Sequence, residues 1–165
     1  MRVAVFFSMG GALVAIAYAR TQPGLGWQHY VDARFQFAID IPVNLVKVLL
    51  APANDDGREF MSLDGRARGN ASGGFNVLNE TLVDVADQEE RRCVGGRAAY
   101  RVVRANFMVV SCQMPGGRTF YARSFTRGDE DVLANFWFDY PRAEQAKWDP
   151  IVTRMSRSFS PTLGR

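Results

Sequence analysis

Side chains able to act as nucleophiles, bases or metal ligands are few and scattered. The single histidine, His29, stands in Trp27-Gln28-His29-Tyr30, just ahead of the first predicted strand. As a general base it needs a nucleophile and an orienting acid within reach. Ser62, Ser111 and Ser124 are available, but none lies in the G-x-S-x-G turn that exposes a hydrolase nucleophile. Cys112 with His29 would make a thiol dyad, yet no flanking signature accompanies it. Asn54, Asp55, Asp56 and Asp64 suggest calcium, but the segment lacks the alternating acids and closing Glu of a calcium loop, and turn formation accounts for them. Gly73-Gly74 and Gly95-Gly96 lack the Lys-Ser/Thr of a phosphate loop. Asp139 and Glu144 read either as a carboxylate pair or as the acidic start of a helix. With 1 His and 2 Cys, neither a His-rich metal site nor a four-cysteine zinc site can be built. No catalytic, cofactor-binding or metal-ligating residue is therefore assigned, and no cofactor is expected.

Two groups remain. Cys93 and Cys112 read either as one structural disulfide, closing a loop of about 20 residues and worth roughly 3 kcal/mol, or as two separate thiols. The aromatic residues of the last strand, Phe136, Phe138 and Tyr140, alternate with Asn135, Trp137 and Asp139. Large groups on both faces mean a core with a covered reverse side, or a groove for a ligand or partner lined by Trp137 with Tyr121 and Phe125 of the neighbouring strand.

The elements that must position these groups follow from periodicity. Phe35, Phe37, Ile39 and Ile41 alternate with polar or small residues up to Pro42, a strand with one buried face. Val43 to Leu50 predicts a turn and short strand. Residues 59–63 and 66–71 predict a hairpin about Asp64-Gly65, with Ser72-Gly73-Gly74 as a break. Over 78–92 the period changes, and Leu78, Leu82, Val85 and Ala86 share a helical face that Asn79 can cap. Segments 98–104, 107–112, 118–126 and 132–140, joined by short turns, predict an antiparallel meander. Pro141 suits the start of a helix, and Trp148-Asp149-Pro150 reads as a break and restart with Asp149 as cap. Ile151, Val152, Met155 and Phe159 then form an apolar stripe. Runs of strands with helices between and after them indicate an α+β fold, an antiparallel meander sheet with helices packed on its faces.

Met1-Arg2, an uncharged run from Val3 to Ile16, and Ala17-Tyr18-Ala19 match a secretory signal peptide over 1–19. The alternative is an uncut membrane anchor. Residues 20–26 form a flexible lead-in, and 27–165 a single domain. The chain has 165 residues, 47% hydrophobic and 22% charged, ordinary for one globular unit. Its net charge of +3 comes from 20 basic and 17 acidic residues, and all but Lys47 and Lys147 of the basic set are arginines. The basic residues are dispersed, so nucleic acid is not expected as a partner. A bacterial periplasmic or secreted location is expected, with membrane contact only during export.

From Tyr30 to Pro161 the sequence resembles small exported bacterial domains of the PsbP-like fold. The resemblance rests on Phe35-Gln-Phe-Ala-Ile-Asp-Ile-Pro42, the Asn-Asp-Asp-Gly loop with Phe60 and Ser62-Leu-Asp-Gly65, and Phe107-Met-Val-Val-Ser-Cys112. It continues through Phe120-Tyr121, Phe136-Trp-Phe-Asp-Tyr-Pro141, Trp148-Asp-Pro-Ile-Val and Arg157-Ser-Phe159. These are packing and turn residues. The resemblance implies an antiparallel sheet with helices on its faces and docking or accessory roles rather than catalysis. Two functions from different classes follow: an exported, non-enzymatic binding or accessory module for a protein or small ligand, or a small periplasmic hydrolase or thiol enzyme using His29 with a Ser or Cys.

Overall fold

A computed structural model of the chain describes residues 25–50, 54–127 and 132–162. The predicted leader and most of the lead-in lie outside them.

Strands β1 (Trp27–Asp32) and β2 (Phe37–Pro42) form an antiparallel hairpin, followed by β3 (Val46–Val48), β4 (Gly57–Ser62) and β5 (Arg68–Phe75). Helix α1 (Leu82–Glu90) leads through a 3-10 turn at Val94–Gly96 into β6 (Tyr100–Val103), β7 (Phe107–Met114), β8 (Arg118–Arg127) and β9 (Val132–Pro141). A second 3-10 turn (Arg142–Glu144) runs into α2 (Gln145–Ser158), and β10 (Ser160–Pro161) closes the order. A seven-stranded sheet has the order β3-β4-β5-β9-β8-β7-β6, and a three-stranded sheet the order β1-β2-β10. Every pairing is antiparallel. The expected meander is present as β6 to β9, and β5 joins it by pairing with β9 over Arg68–Phe75.

The large sheet separates two cores. On one face α2 and the small sheet bury Phe37, Ile39, Phe136, Phe138, Trp148, Met155 and Phe159. On the other, Leu82, Val85 and Ala86 of α1 pack on Met108, Val110, Phe120 and Ala122. The predicted stripe of Ile151, Val152, Met155 and Phe159 is buried throughout. Cys93 and Cys112 are joined in a disulfide with Cα atoms 5.7 Å apart, which ties the segment after α1 to β7 inside the second core.

Local chemistry overrides the sequence reading at five places. His29 lies within a strand, because the residues of β1 pair with β2 although only Asp32 among them is buried. The first predicted strand starts two residues too early, since Gln36 takes φ 53° and turns the chain ahead of Phe37. Ser72-Gly73-Gly74 does not break β5. A Cβ at Gly73 would stand 2.3 Å from the Cβ of Phe35, so glycine is there for close packing. Helix α1 is capped by Thr81, not Asn79, which sits at φ 52°. Thr81 and Asp84 form a reciprocal capping box, with Thr81 N–H donating to Asp84 Oδ2 at 2.8 Å and Asp84 N–H to Thr81 Oγ1 at 3.2 Å. Finally, Asp149 is no cap and Pro150 lies inside α2. Pro150 has no N–H to offer the carbonyl of Ala146, an exposed residue, while buried Trp148 anchors the same turn.

Candidate functional site

Helix α1 covers β6, β7 and β8 on one face of the large sheet, whereas α2 on the opposite face packs against β2, β8 and β9. The α2 side of β6 and β7 is thus left to side chains. Strand register sets those side chains in rows. Tyr100 pairs with Ser111, Ser111 with Tyr121, and Tyr121 with Phe138, which puts these four in line across β6, β7, β8 and β9. Thr119 and Tyr140, also register partners, stand beside that row.

Between these strands and α2 lies a cleft of about 240 Å³. Its sheet wall consists of Tyr100, Ser111, Thr119, Tyr121 and Tyr140, and its helix wall includes Gln145, Asp149 and Thr153. Tyr121 shares a 2.6 Å hydrogen bond with Ser156 Oγ, and Tyr140 O–H donates to Asp149 Oδ1 at 2.6 Å. Burial raises both phenols above the ordinary tyrosine value, and for Tyr140 the bond to Asp149 adds to the rise. Both therefore remain protonated donors across the physiological range. Thr119 Oγ1 is buried without a hydrogen-bond partner, in a residue 5% exposed. Such an orphan costs free energy unless something satisfies it.

Two arginines lie near Tyr121, outside the lining of the cleft. Arg123 lies two residues along β8 from Tyr121 on the same face, its guanidinium 5.0 Å from the Phe107 ring centre and its Nε buried without a partner. Arg157 projects from α2, exposed. Both charges act on Tyr121, and neither arginine forms an ion pair among the described residues. Hydroxyl groups, aromatic edges and unneutralised positive charge suit recognition of a polar, acidic surface.

The residues singled out from sequence are distributed as follows. Tyr121 reaches the cleft. Phe125 shares its face but is buried against Phe159, with ring centres 4.9 Å apart. Trp137 pairs with Ala122 and faces the α1 core, on the other side of the sheet. Alternation forbids one groove from all three. Tyr100, Thr119, Tyr140 and Asp149 were missed, because inter-strand register and the path of α2 decide their meeting and neither is written in local pattern.

His29 Nδ1 is 2.9 Å from Asp40 Oδ1 on the exposed side of the small sheet, and Arg154 approaches the same carboxylate at 3.4 Å. No Ser, Thr or Cys side chain hydrogen-bonds the imidazole among the described residues. Cys112 is held in the disulfide, so it offers His29 no thiol. Asn54 and Asp56 hydrogen-bond each other, Asp55 pairs with Arg58, and Asp64 holds Arg66 and the Ser62 hydroxyl. Asp139 and Glu144 are each held by cations rather than by each other. No group of three or more His, Cys, Asp or Glu among the described residues is placed to hold a metal. No helix among them is long and apolar enough to cross a membrane.

The sequence matches no protein-family model and no curated protein. Solved structures do match. Cyanobacterial PsbP (CyanoP) from Synechocystis sp. PCC 6803 superposes with a TM-score of 0.60 at 14% identity, over 86% of this chain and 97% of that one. The Ran-binding protein Mog1p of Saccharomyces cerevisiae gives 0.57 at 9% identity, over 83% and 96%. The fold is PsbP-like, an α+β arrangement of antiparallel sheets and two helices, as the sequence resemblance implied.

Proposed function

We propose that the protein is an exported, non-enzymatic binding module that docks an extended acidic segment of a partner protein on the α2 side of β6–β8. The observation that carries this reading is the pair of arginines without counter-charge, Arg123 and Arg157, near Tyr121 of the hydroxyl-lined cleft. Strand β6 ends the sheet, and its outer side has no strand neighbour among the described residues. An extended segment added there gains main-chain hydrogen bonds while its side chains reach the adjoining face. A structural neighbour described as Ran-binding supports the idea that this fold can take a protein partner. Export is supported by the signal-peptide pattern at 1–19 and is compatible with the disulfide, since such bonds persist in oxidising compartments.

Random-peptide display against the folded, oxidised protein tests the docking. Enriched peptides should be net acidic, and the doubly charge-reversed Arg123→Glu, Arg157→Glu protein should bind them roughly tenfold more weakly or worse. Enrichment indifferent to peptide charge, or equal binding by the reversed protein, would sink the reading.

A further inference from the structure

At the far end of the sheet, where β5, β8 and the tip of β9 meet the β4–β5 turn, there is a second cavity of about 370 Å³ lined by Gly65, Arg66, Arg68, Arg118 and Pro141. Every charged or hydrogen-bonding side chain lining it is a guanidinium. The balancing carboxylates lie behind them. Asp139, 2% exposed, accepts from Arg118 Nε at 2.7 Å and from Arg68 Nε at 3.3 Å. Arg66 turns its Nε to Asp64 at 3.2 Å and its terminal nitrogen to Glu144. Arg118 is fixed further by donating to the Arg66 carbonyl at 3.0 Å.

Arg68 and Arg118 share one buried carboxylate while Arg66 has two, Asp64 and Glu144, so three arginines face three carboxylates and the surplus at this point is donor capacity on Arg68. Arg68 engages Asp139 through Nε alone, and its two terminal nitrogens carry no hydrogen bond among the described residues. Burial first, and the neighbouring Arg68 charge second, push the Arg118 guanidinium below its ordinary value. Neutralising Asp139 needs one arginine; the second is a donor fork held ready beside the first. Guanidinium forks match the planar geometry of carboxylate and phosphate oxygens.

The geometry points to an oxyanion-binding site in which Arg68 and Arg118, with Arg66 at the rim, hold a carboxylate or phosphate group. Behind the lining, Asp139 takes Nε and one terminal nitrogen of Arg118 but only the Nε of Arg68, so the terminal nitrogens of Arg68 are the free donors of the site. The site stands at the Arg118 end of β8 on the α1 side of the sheet, the face opposite the cleft at Tyr121.

Titration by NMR of the oxidised protein, following the arginine Nε–H signals and the backbone amides of Gly65 and Arg66, tests the assignment. Sodium phosphate and sodium acetate are compared with sodium chloride at matched ionic strength. Saturable shifts with phosphate alone assign a phosphate-type ligand, and saturable shifts with acetate a carboxylate; either supports the site. Arg68→Gln leaves Asp139 paired with Arg118, so the fold is kept, and should weaken binding roughly tenfold or more. Arg68→Lys, which restores charge without the fork, should recover only part of it. Shifts that follow ionic strength equally in all three salts would overturn the proposal, as would undiminished binding by Arg68→Gln.

Discussion

Phe159→Ala is the sharpest perturbation of the α2-side core. The ring is 0% exposed and stands at the C-cap of α2, between the helix and the short β10. Its centre lies 5.6 Å from Phe37, 4.9 Å from Phe125 and 5.8 Å from Phe136, so one side chain joins the small sheet, β8 and β9. Truncating a buried phenylalanine costs about 3–5 kcal/mol, and aromatic pairs add about 0.5–1.5 kcal/mol beyond burial. Three ring contacts put the expected loss near the upper end, about 4–5 kcal/mol, against the roughly 5–15 kcal/mol that hold a domain together. Urea unfolding of the oxidised protein measures it. With a slope of about 2 kcal/mol per molar, the midpoint should fall by roughly 2 M. Phe159→Leu keeps an apolar plug and should lose less than half as much. Arg157→Ala, exposed two residues away and without an ion pair among the described residues, should stay within about 0.5 kcal/mol of the parent. If Phe159→Ala loses under about 1 kcal/mol, or no more than Arg157→Ala, the packing described for α2 is wrong.

Replacing Cys93 and Cys112 together by alanine opens a cross-link of sequence separation 19 and should lower stability by about 3 kcal/mol; dithiothreitol should lower the parent's urea midpoint and leave the double variant's unchanged. Gly73→Ala places a methyl 2.3 Å from Phe35 and should cost about 1–3 kcal/mol, whereas Gly74→Ala, with nothing within 4 Å, should be neutral or slightly stabilising. Thermal melts of the two glycine variants side by side decide that contrast, and equal midpoints would contradict the close approach of Phe35 to β5.

Much of this architecture was legible because its signals are local. The alternation in Phe37–Ile41, the stripe of Ile151, Val152, Met155 and Phe159, and the turn at Asp64-Gly65 each report a burial pattern or a backbone conformation within a few residues. The errors arise where a distant partner decides. Gly73-Gly74 reads as a break until Phe35 is seen pressing on Gly73. The helix cap is the exception: the reciprocal bonds of Thr81 and Asp84 span three residues, a local signal that Asn79 two positions earlier obscures. For the site, alternation within β8 and β9 was enough to show that Trp137 and Tyr121 cannot share a face once the strands pair Trp137 with Ala122. That pairing, and the placement of Tyr100 beside Tyr121 by way of β7, is register between strands, which no single stretch of sequence carries.

The position of β2 also dictates an order of assembly. It lies between β1, its immediate neighbour in sequence, and β10 at the far end of the chain. Its Asp40 N–H donates to Ser158 Oγ at 2.8 Å across 118 residues of sequence, and Thr162 N–H returns to the Gln36 carbonyl at 2.8 Å. A polypeptide emerging amino-terminus first makes the β1–β2 hairpin and the whole meander before α2 exists to cover them. Phe37, Ile39 and Ile41 therefore wait, apolar and unroofed, until the tail arrives, and contacts of such long range are slow to form. Under the export proposed above, this late closure would keep the polypeptide threadable almost to its end. A ribosome stalled before Phe159 would instead release a chain whose central strand is open to proteases and to its own copies.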